Sequence, residues 1–378
     1  MLIAMNNRKT VIERFDSPEG QIAVVTMTNR RGASVSLSNL GAGIVSVIVP
    51  DREGKLADIA IGYENPTDYM ADGPCAGKVP GRYANRIANG LFTLDGVAYK
   101  LAINNGPNAL HGGPTGFQNR LWDVGLVGDD SVRFTRLSPD GEEGYPGNLT
   151  VVALYRWTDD NRLELTLEAQ TDVATIVNLT NHAYFNLSGH DSGSVLDHEL
   201  RLAASRFLPT DETLIPTGEM APVAGTPMDF TKSHAIGRDA NADFPALKYG
   251  KGYDNCWVVD NWTPGEIKTV AELFDAKTGR ALEVETDQPG VQIYTGNWLE
   301  GCPTGKGGYV YHDYDGVAIE CQDFPDAPNH PEFPGVRLSP AEIYRRHINF
   351  NFKTNAKEHN ETYSCSTRCR YGQPLRRP

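Results

Sequence analysis

LTVVALYRW-TDDN-RLELTLEA, residues 149–169, reads as two strands and the loop that joins them. Apolar and polar side chains alternate on both arms, and a period of two sends successive side chains to opposite faces of a strand. Thr158-Asp-Asp-Asn161 is short and polar, as a hairpin loop requires. The same alternation recurs at 22–28, 33–40, 44–49, 281–286, 291–295 and 317–321. Leu91–Leu94 and 97–101 flank Asp95-Gly96, a dipeptide that accepts the positive φ angles of a type I′ turn, so 92–100 forms another hairpin. No strand–helix–strand rhythm appears, which argues against a parallel α/β enzyme and for an all-β chain.

Composition agrees. The 378 residues include 38 glycines and 24 prolines, about one residue in six, which suits many short strands joined by turns. With 40% hydrophobic residues, a chain of this length can bury a sizeable core. There are 35 basic and 48 acidic side chains, a net charge of −13, so phosphate-rich partners such as nucleic acid or an anionic membrane surface are repelled. MLIAMNNRKT at the amino terminus has no apolar export segment, and no run of apolar residues is long enough to span a bilayer; a cytoplasmic protein is the expectation. Six cysteines occur without a CxxC pair, so neither a zinc site nor a disulfide framework is expected. Residues 1–353 contain no linker or repeat and read as a single domain of charge −16. Residues 354–378 carry +3 with almost no apolar pattern and read as a disordered extension.

Four polar clusters break the strand pattern. Gly81-Arg-Tyr-Ala-Asn-Arg-Ile87 contains Asn85 and Arg86, and Asn108-Ala-Leu-His-Gly-Gly113 sets His111 before two glycines, where backbone can approach a ligand. Asn178-Leu-Thr-Asn-His-Ala-Tyr-Phe-Asn-Leu-Ser-Gly189 interleaves amides, aromatics and His182 with no charged carboxylate or ammonium, the mixture that binds sugars by ring stacking and hydroxyl hydrogen bonds. In the fourth, Glu320 interrupts the apolar run 317–321. Alternation places Ala318, Glu320 and Gln322 opposite Val317, Ile319 and Cys321, so a core on the second face leaves Glu320 facing a cleft or solvent. Asp254 precedes the apolar segment 256–259, and Gln292 and Tyr294 share one strand face. Read alone, each cluster also has a structural explanation: exposed arginines, a core histidine, a surface glutamate.

Six stretches, in order, carry a resemblance: GRYANRIANGLF, NNGPNALHGGPTGFQNRLWDV, NLTNHAYFNLSG, YDNCWVV, QPGVQIYTGNWLEG and IECQDFPDAPNHPEFPGVRLSP. The chain resembles the aldose 1-epimerase (galactose mutarotase) family from about Arg14 to Phe352. The resemblance implies a large antiparallel β-sandwich of the galactose mutarotase-like supersandwich type. It implies Glu320 as catalytic base, His182 as catalytic acid, and Asn85, Arg86, His111, Asp254 and Gln292 as sugar-contacting residues. It also implies no metal and no cofactor, a monosaccharide substrate, and a monomer or weak dimer. Asn255-Cys-Trp257 departs from the arrangement of many relatives, which leaves the contacts near Asp254 open.

The expected chemistry opens the hemiacetal ring, turns the aldehyde about C1–C2 and closes it on the other face. A base takes the O1 proton and an acid protonates the ring oxygen. A glutamate near its ordinary ~4.3 stays ionised, and a histidine near ~6.5, raised by a carboxylate, supplies the proton; His111 could share the acid role. Three rivals stand beside this reading. A β-sandwich glycoside hydrolase needs a second carboxylate, for which Asp254, Asp323 and Asp326 are candidates. A sugar-binding protein without turnover should have lost the acid–base pair. An epimerase of hexose 6-phosphates needs a cluster of cations, and the clusters offer only Arg82 and Arg86.

Overall fold

The computed structural model describes residues 8–354, so the expectation for 355–378 lies outside the described residues. Leu149–Trp157 and Arg162–Thr171 pair antiparallel, with Trp157 opposite Leu163 and Tyr155 opposite Leu165, and Asn161 turns the hairpin at φ 58°. Every second residue of each arm is buried, which is the alternation read as packing. This pair lies within a nine-stranded antiparallel sheet. Asp123–Val127 and Ser131–Ser138 extend it on one side; Tyr344–Thr354, Arg280–Thr286, Lys268–Phe274, Glu199–Leu202 and His234–Ala235 extend it on the other.

A six-stranded sheet runs Tyr184–Phe185, Val317–Gln322, Gly290–Tyr294, Asp254–Val258, Arg206–Phe207, Ala221–Pro222. Its inward residues Val291, Ile293, Val317, Ile319 and Cys321 join Leu163, Leu165, Ile348 and Phe350 of the large sheet in one hydrophobic cluster. Phe185 meets Phe350 at 5.4 Å between ring centres, so the two sheets are stacked as a sandwich. A five-stranded sheet from Lys9–Ser17 to Leu56–Asp58 packs Val25, Val35, Leu37 and Val47 into the same cluster. Trp157 and Tyr155 tie it to the large sheet, donating from Nε1 to the Ala33 carbonyl and from the hydroxyl to the Ala42 carbonyl. The one α-helix among the described residues is Pro245–Gly250. No helix among them is long and apolar enough to cross a membrane.

The sequence-derived strands are present with small shifts. The run 33–40 shortens to Ser34–Ser38 because Ser38 Oγ accepts the Leu40 amide and the chain turns through Gly41 and Ala42, both at positive φ. The hairpin holds Asp95 at φ 51° and Gly96 at φ 82°, as a type I′ turn requires. Lys9–Ser17 was not singled out, because it is an edge strand exposed along most of its length. Tyr344–Thr354 was also missed, since Arg345, Arg346 and His347 mask its apolar second half. This last strand takes in Thr354, one residue beyond the expected domain boundary. Cys75, Cys256, Cys302 and Cys321 are free thiols.

Candidate active site

Glu320 sits in the central strand Val317–Gln322, and the cross-strand register assembles its neighbours. Gln292 is opposite Glu320, Tyr294 is opposite Ala318 on one side and Asp254 on the other, and Tyr184 is also opposite Ala318. Val317, Ile319 and Cys321 point into the core, which leaves Glu320 on the face that lines a cleft of about 740 Å³. His182 enters two residues before Tyr184–Phe185. Its amide donates to the Lys78 carbonyl at 2.8 Å and its carbonyl accepts the Gly77 amide at 3.0 Å. Behind this bracket Lys78 and Asp72 form a buried ion pair at 3.1 Å.

His111 and the 81–86 loop close the other side. Asn85 and His111 both adopt left-handed backbone, at φ 64° and φ 52°, a conformation Asn and His tolerate better than most residues. The His111 amide donates to the Asn85 carbonyl, and the Asn85 amide donates to His111 Nδ1 at 3.1 Å. The two loops touch at Gly112, where a Cβ would lie 1.9 Å from the Gly81 carbonyl oxygen, so no larger residue fits.

His182 Nε2 and Glu320 Oε1 lie 3.4 Å apart, with side chains 6% and 2% exposed. His182 Nδ1 and Glu320 Oε2 are buried with no hydrogen-bond partner among the described residues, an arrangement that favours a ligand carrying its own donors and acceptors. Burial pulls the His182 imidazole down to about 4, against the raising effect of Asp254. Burial, then the charge of Asp254, pushes the Glu320 carboxyl well above the carboxylate range, against the lowering effect of Arg86. Both shifts run opposite to the directions expected for an ionised glutamate beside a charged histidine, since burial favours the neutral form of each group.

His111 is fixed in role by its hydrogen bond. Nδ1 accepts an amide N–H and therefore carries no proton, so the neutral ring bears its proton on Nε2. Burial, with His182 and Arg86 nearby, keeps it well below the ordinary histidine value. Its Nε2–H is thus the one free to donate, and burial disfavours the charged ring that an acid role would use.

Arg86 donates from Nε to Asn105 Oδ1 at 3.0 Å and from NH2 to Asp254 Oδ2 at 3.4 Å. Gln292 Nε2 donates to Asp254 Oδ1 at 2.7 Å, so both oxygens of Asp254 are held. Gln292, a sugar-contacting position by resemblance, stands opposite Glu320 in the sheet and has its amide nitrogen committed to the Asp254 carboxylate. Arg82 lies outside the cleft, buried, donating to the carbonyls of Pro146, Gly147 and Ser138 and to the hydroxyls of Thr175 and Ser138. Asn178, the first residue of its motif, spends its amide on the Ala84 and Asp323 main chain. Asn105, Tyr184 and Trp298 line the cleft and had been given no role. The Asn-Gly-Pro sequence at 105–107 was the available signal for the first, since such turns present side chains to ligands.

Of the three rival carboxylates, Asp323 is buried against Arg346 and Asp326 caps the Ala88 amide and pairs with His330, away from the cleft; Asp254 lines it, with its two oxygens held by Arg86 and Gln292. The comparisons with known proteins agree with this geometry. The family model described as aldose 1-epimerase matches residues 23–351. Galactose mutarotase of Sus scrofa is 45% identical over 318 residues, 84% of this chain and 90% of that protein. Aldose 1-epimerase of Escherichia coli is 39% identical over 339 residues, 89% of this chain and 97% of that one. The crystal structure of galactose 1-epimerase from Lactobacillus acidophilus superposes with a TM-score of 0.81 at 29% identity, covering 93% of this chain and all of that one. With the aldose 1-epimerase model matching most of its length and these curated relatives 39% and 45% identical over nearly all of their own, the chain belongs to the aldose 1-epimerase family.

Proposed function

We propose that the cleft interconverts the α and β anomers of a free aldohexose such as galactose or glucose, with Glu320 as base and His182 as acid. The observation that carries the reading is this buried pair, 3.4 Å apart in a cleft lined by side chains able to bind hydroxyls. With a closed ring bound, the reactive arrangement has the proton on His182 and none on Glu320. Glu320 takes the O1 proton as His182 delivers its own to the ring oxygen, and the C1–O5 bond breaks. The products are the open aldehyde, a neutral imidazole and a protonated glutamate. Rotation about C1–C2 exposes the other carbonyl face, and the same transfers in reverse close the ring.

Both halves keep one proton on the pair, so no exchange with solvent is required in either. The burial that favours the neutral pair works with ring opening, because opening is the step that discharges it. Each proton transfer contributes ~10²–10⁴-fold to the rate. His111 Nε2 and Arg86 would donate to sugar oxygens, Asn85 would fix His111 and present its amide, and Asp254 would accept from hydroxyls while Gln292 holds it. No metal or cofactor enters these steps.

We place the enzyme in the cytoplasm as a monomer or weak dimer with no nucleic-acid partner, and take 1–353 as one domain carrying a dispensable extension. The test is polarimetry on freshly dissolved α-galactose and α-glucose. A rate no faster than buffer would end the epimerase reading, and steady aglycone release from aryl galactosides would replace it with a hydrolase. Removal of residues 355–378 should leave the rate unchanged.

A further inference from the structure

Two tyrosines flank the pair on the same sheet and line the cleft, and their hydroxyls are used differently. The Tyr184 ring is 5.0 Å from His182, and its hydroxyl donates to the Pro74 carbonyl at 2.8 Å. The Tyr294 ring stands edge-on to His182 at 6.2 Å and to Tyr184 at 5.9 Å, beside Asp254 in the sheet register. Its hydroxyl accepts the Trp298 backbone N–H at 3.1 Å. No acceptor for its own proton is found among the described residues. A hydroxyl that receives one hydrogen bond from a fixed amide is oriented, and its proton is left for a partner. Burial and the charge of Asp254 raise the phenol above its ordinary value, so it remains a donor throughout the neutral range.

The amide that orients it is itself well held. Trp298, 63% exposed at the cleft mouth, has the Lys251 ammonium 4.4 Å from its ring centre, and Lys251 is paired with Asp313 at 2.6 Å. Asp313 also accepts the Glu300 amide at 3.0 Å. The loop after Tyr294 is thereby pinned on both sides of Trp298.

We propose that Tyr294 is a further specificity-determining residue, donating from its hydroxyl to one sugar hydroxyl other than O1. The proposal rests on the aldose reading of the cleft. It assigns to Tyr294 the recognition of a single ring or exocyclic position, while His182 and Glu320 serve every aldose alike. Sugars that lack an oxygen at that position, or present it in the other orientation, lose this bond only.

The test compares the parent protein with Tyr294→Phe on galactose and its 2-, 3-, 4- and 6-deoxy analogues, with anomer exchange followed by exchange NMR. Loss of one neutral hydrogen bond should lower kcat/KM on galactose about 3–10-fold, through KM, with kcat little changed. On one deoxy analogue the variant and the parent should be equally fast, because the contact is already absent. An equal loss on all five sugars, or no loss on any, overturns the proposal. If the parent protein turns over none of them, the failure is of the aldose reading itself. If the phenylalanine variant does not fold, Tyr294→Met, which likewise has no hydroxyl to donate, must give the same pattern.

Discussion

Replacing Glu320 by glutamine should sharply slow turnover and stabilise the fold, and the second effect should depend on pH. The carboxyl is 2% exposed, one of its oxygens has no partner, and burial raises it well above the carboxylate range. At pH 4, below the unfolded-state value, both states are protonated and the parent carries no penalty. As pH rises toward the raised folded-state value, the unfolded chain releases a proton that the folded chain keeps. Parent stability then falls by ~1.4 kcal/mol per pH unit relative to the amide. An unfolding entropy of ~2.1 cal/mol/K per residue gives ~0.8 kcal/mol/K for this chain, so Tm of Glu320→Gln should gain ~2 °C over the parent per pH unit. The gain levels off once pH passes the folded-state value. Calorimetric melts of both proteins at unit steps from pH 4 to 8 measure this directly. A Tm difference that is flat, or that shrinks as pH rises, would refute the claim that burial protonates Glu320. In parallel, polarimetry should record a loss of ~10²–10⁴-fold in kcat for the missing base.

For the parent, kcat/KM should be level across the neutral range and fall tenfold per pH unit below about 4, where His182 binds a second proton and leaves no base. A midpoint near 6.5 in that acid limb would mean that the imidazole is not desolvated. His182→Asn should lose at least ~100-fold in kcat. His111→Asn should weaken binding while leaving the acid limb where it is, because His111 only donates; a shifted limb would return it to the proton path. Gln292→Ala should raise KM about 3–10-fold by releasing one oxygen of Asp254; a loss confined to kcat would place Gln292 at the reacting atoms instead. Arg82→Leu should lower stability in urea titration by several times the ~1–3 kcal/mol of one orphaned buried acceptor, with kcat per folded molecule unchanged.

Much of this was legible in the sequence because a strand that packs on one face records its orientation every second residue. The alternation at 149–169 survives intact in the burial of those strands; 317–322 is buried on both faces, its second face by the cleft side, yet Glu320 still points away from the core. Placing the seven site residues depended on the family resemblance, and spacing alone could not have done it: His182 and Glu320 meet through a pairing of Tyr184–Phe185 with Val317–Ala318. What stayed illegible was whatever depends on solvent. Protonation of the pair follows from how completely it is buried, and no local pattern encodes that. Arg82 and Arg86 share a motif and look alike, yet one is spent on carbonyls of the 138–147 turn and the other faces the cleft. Gln292 shares a strand face with Tyr294, but only the contact with Asp254 reveals that its amide is already committed.

The main-chain bracket around His182 and the ladder beneath Glu320 have one further consequence. The gap between His182 and Glu320, the proposed proton donor and acceptor, is set by backbone geometry: by the Gly77 and Lys78 hydrogen bonds on one side and by sheet spacing on the other. The groups that meet the hydroxyls arrive on loops and neighbouring strands. Reaction and recognition are therefore separable variables in this architecture. Changes at Arg86, Asn105 or Trp298 can alter which monosaccharide is welcome without altering how far a proton has to travel.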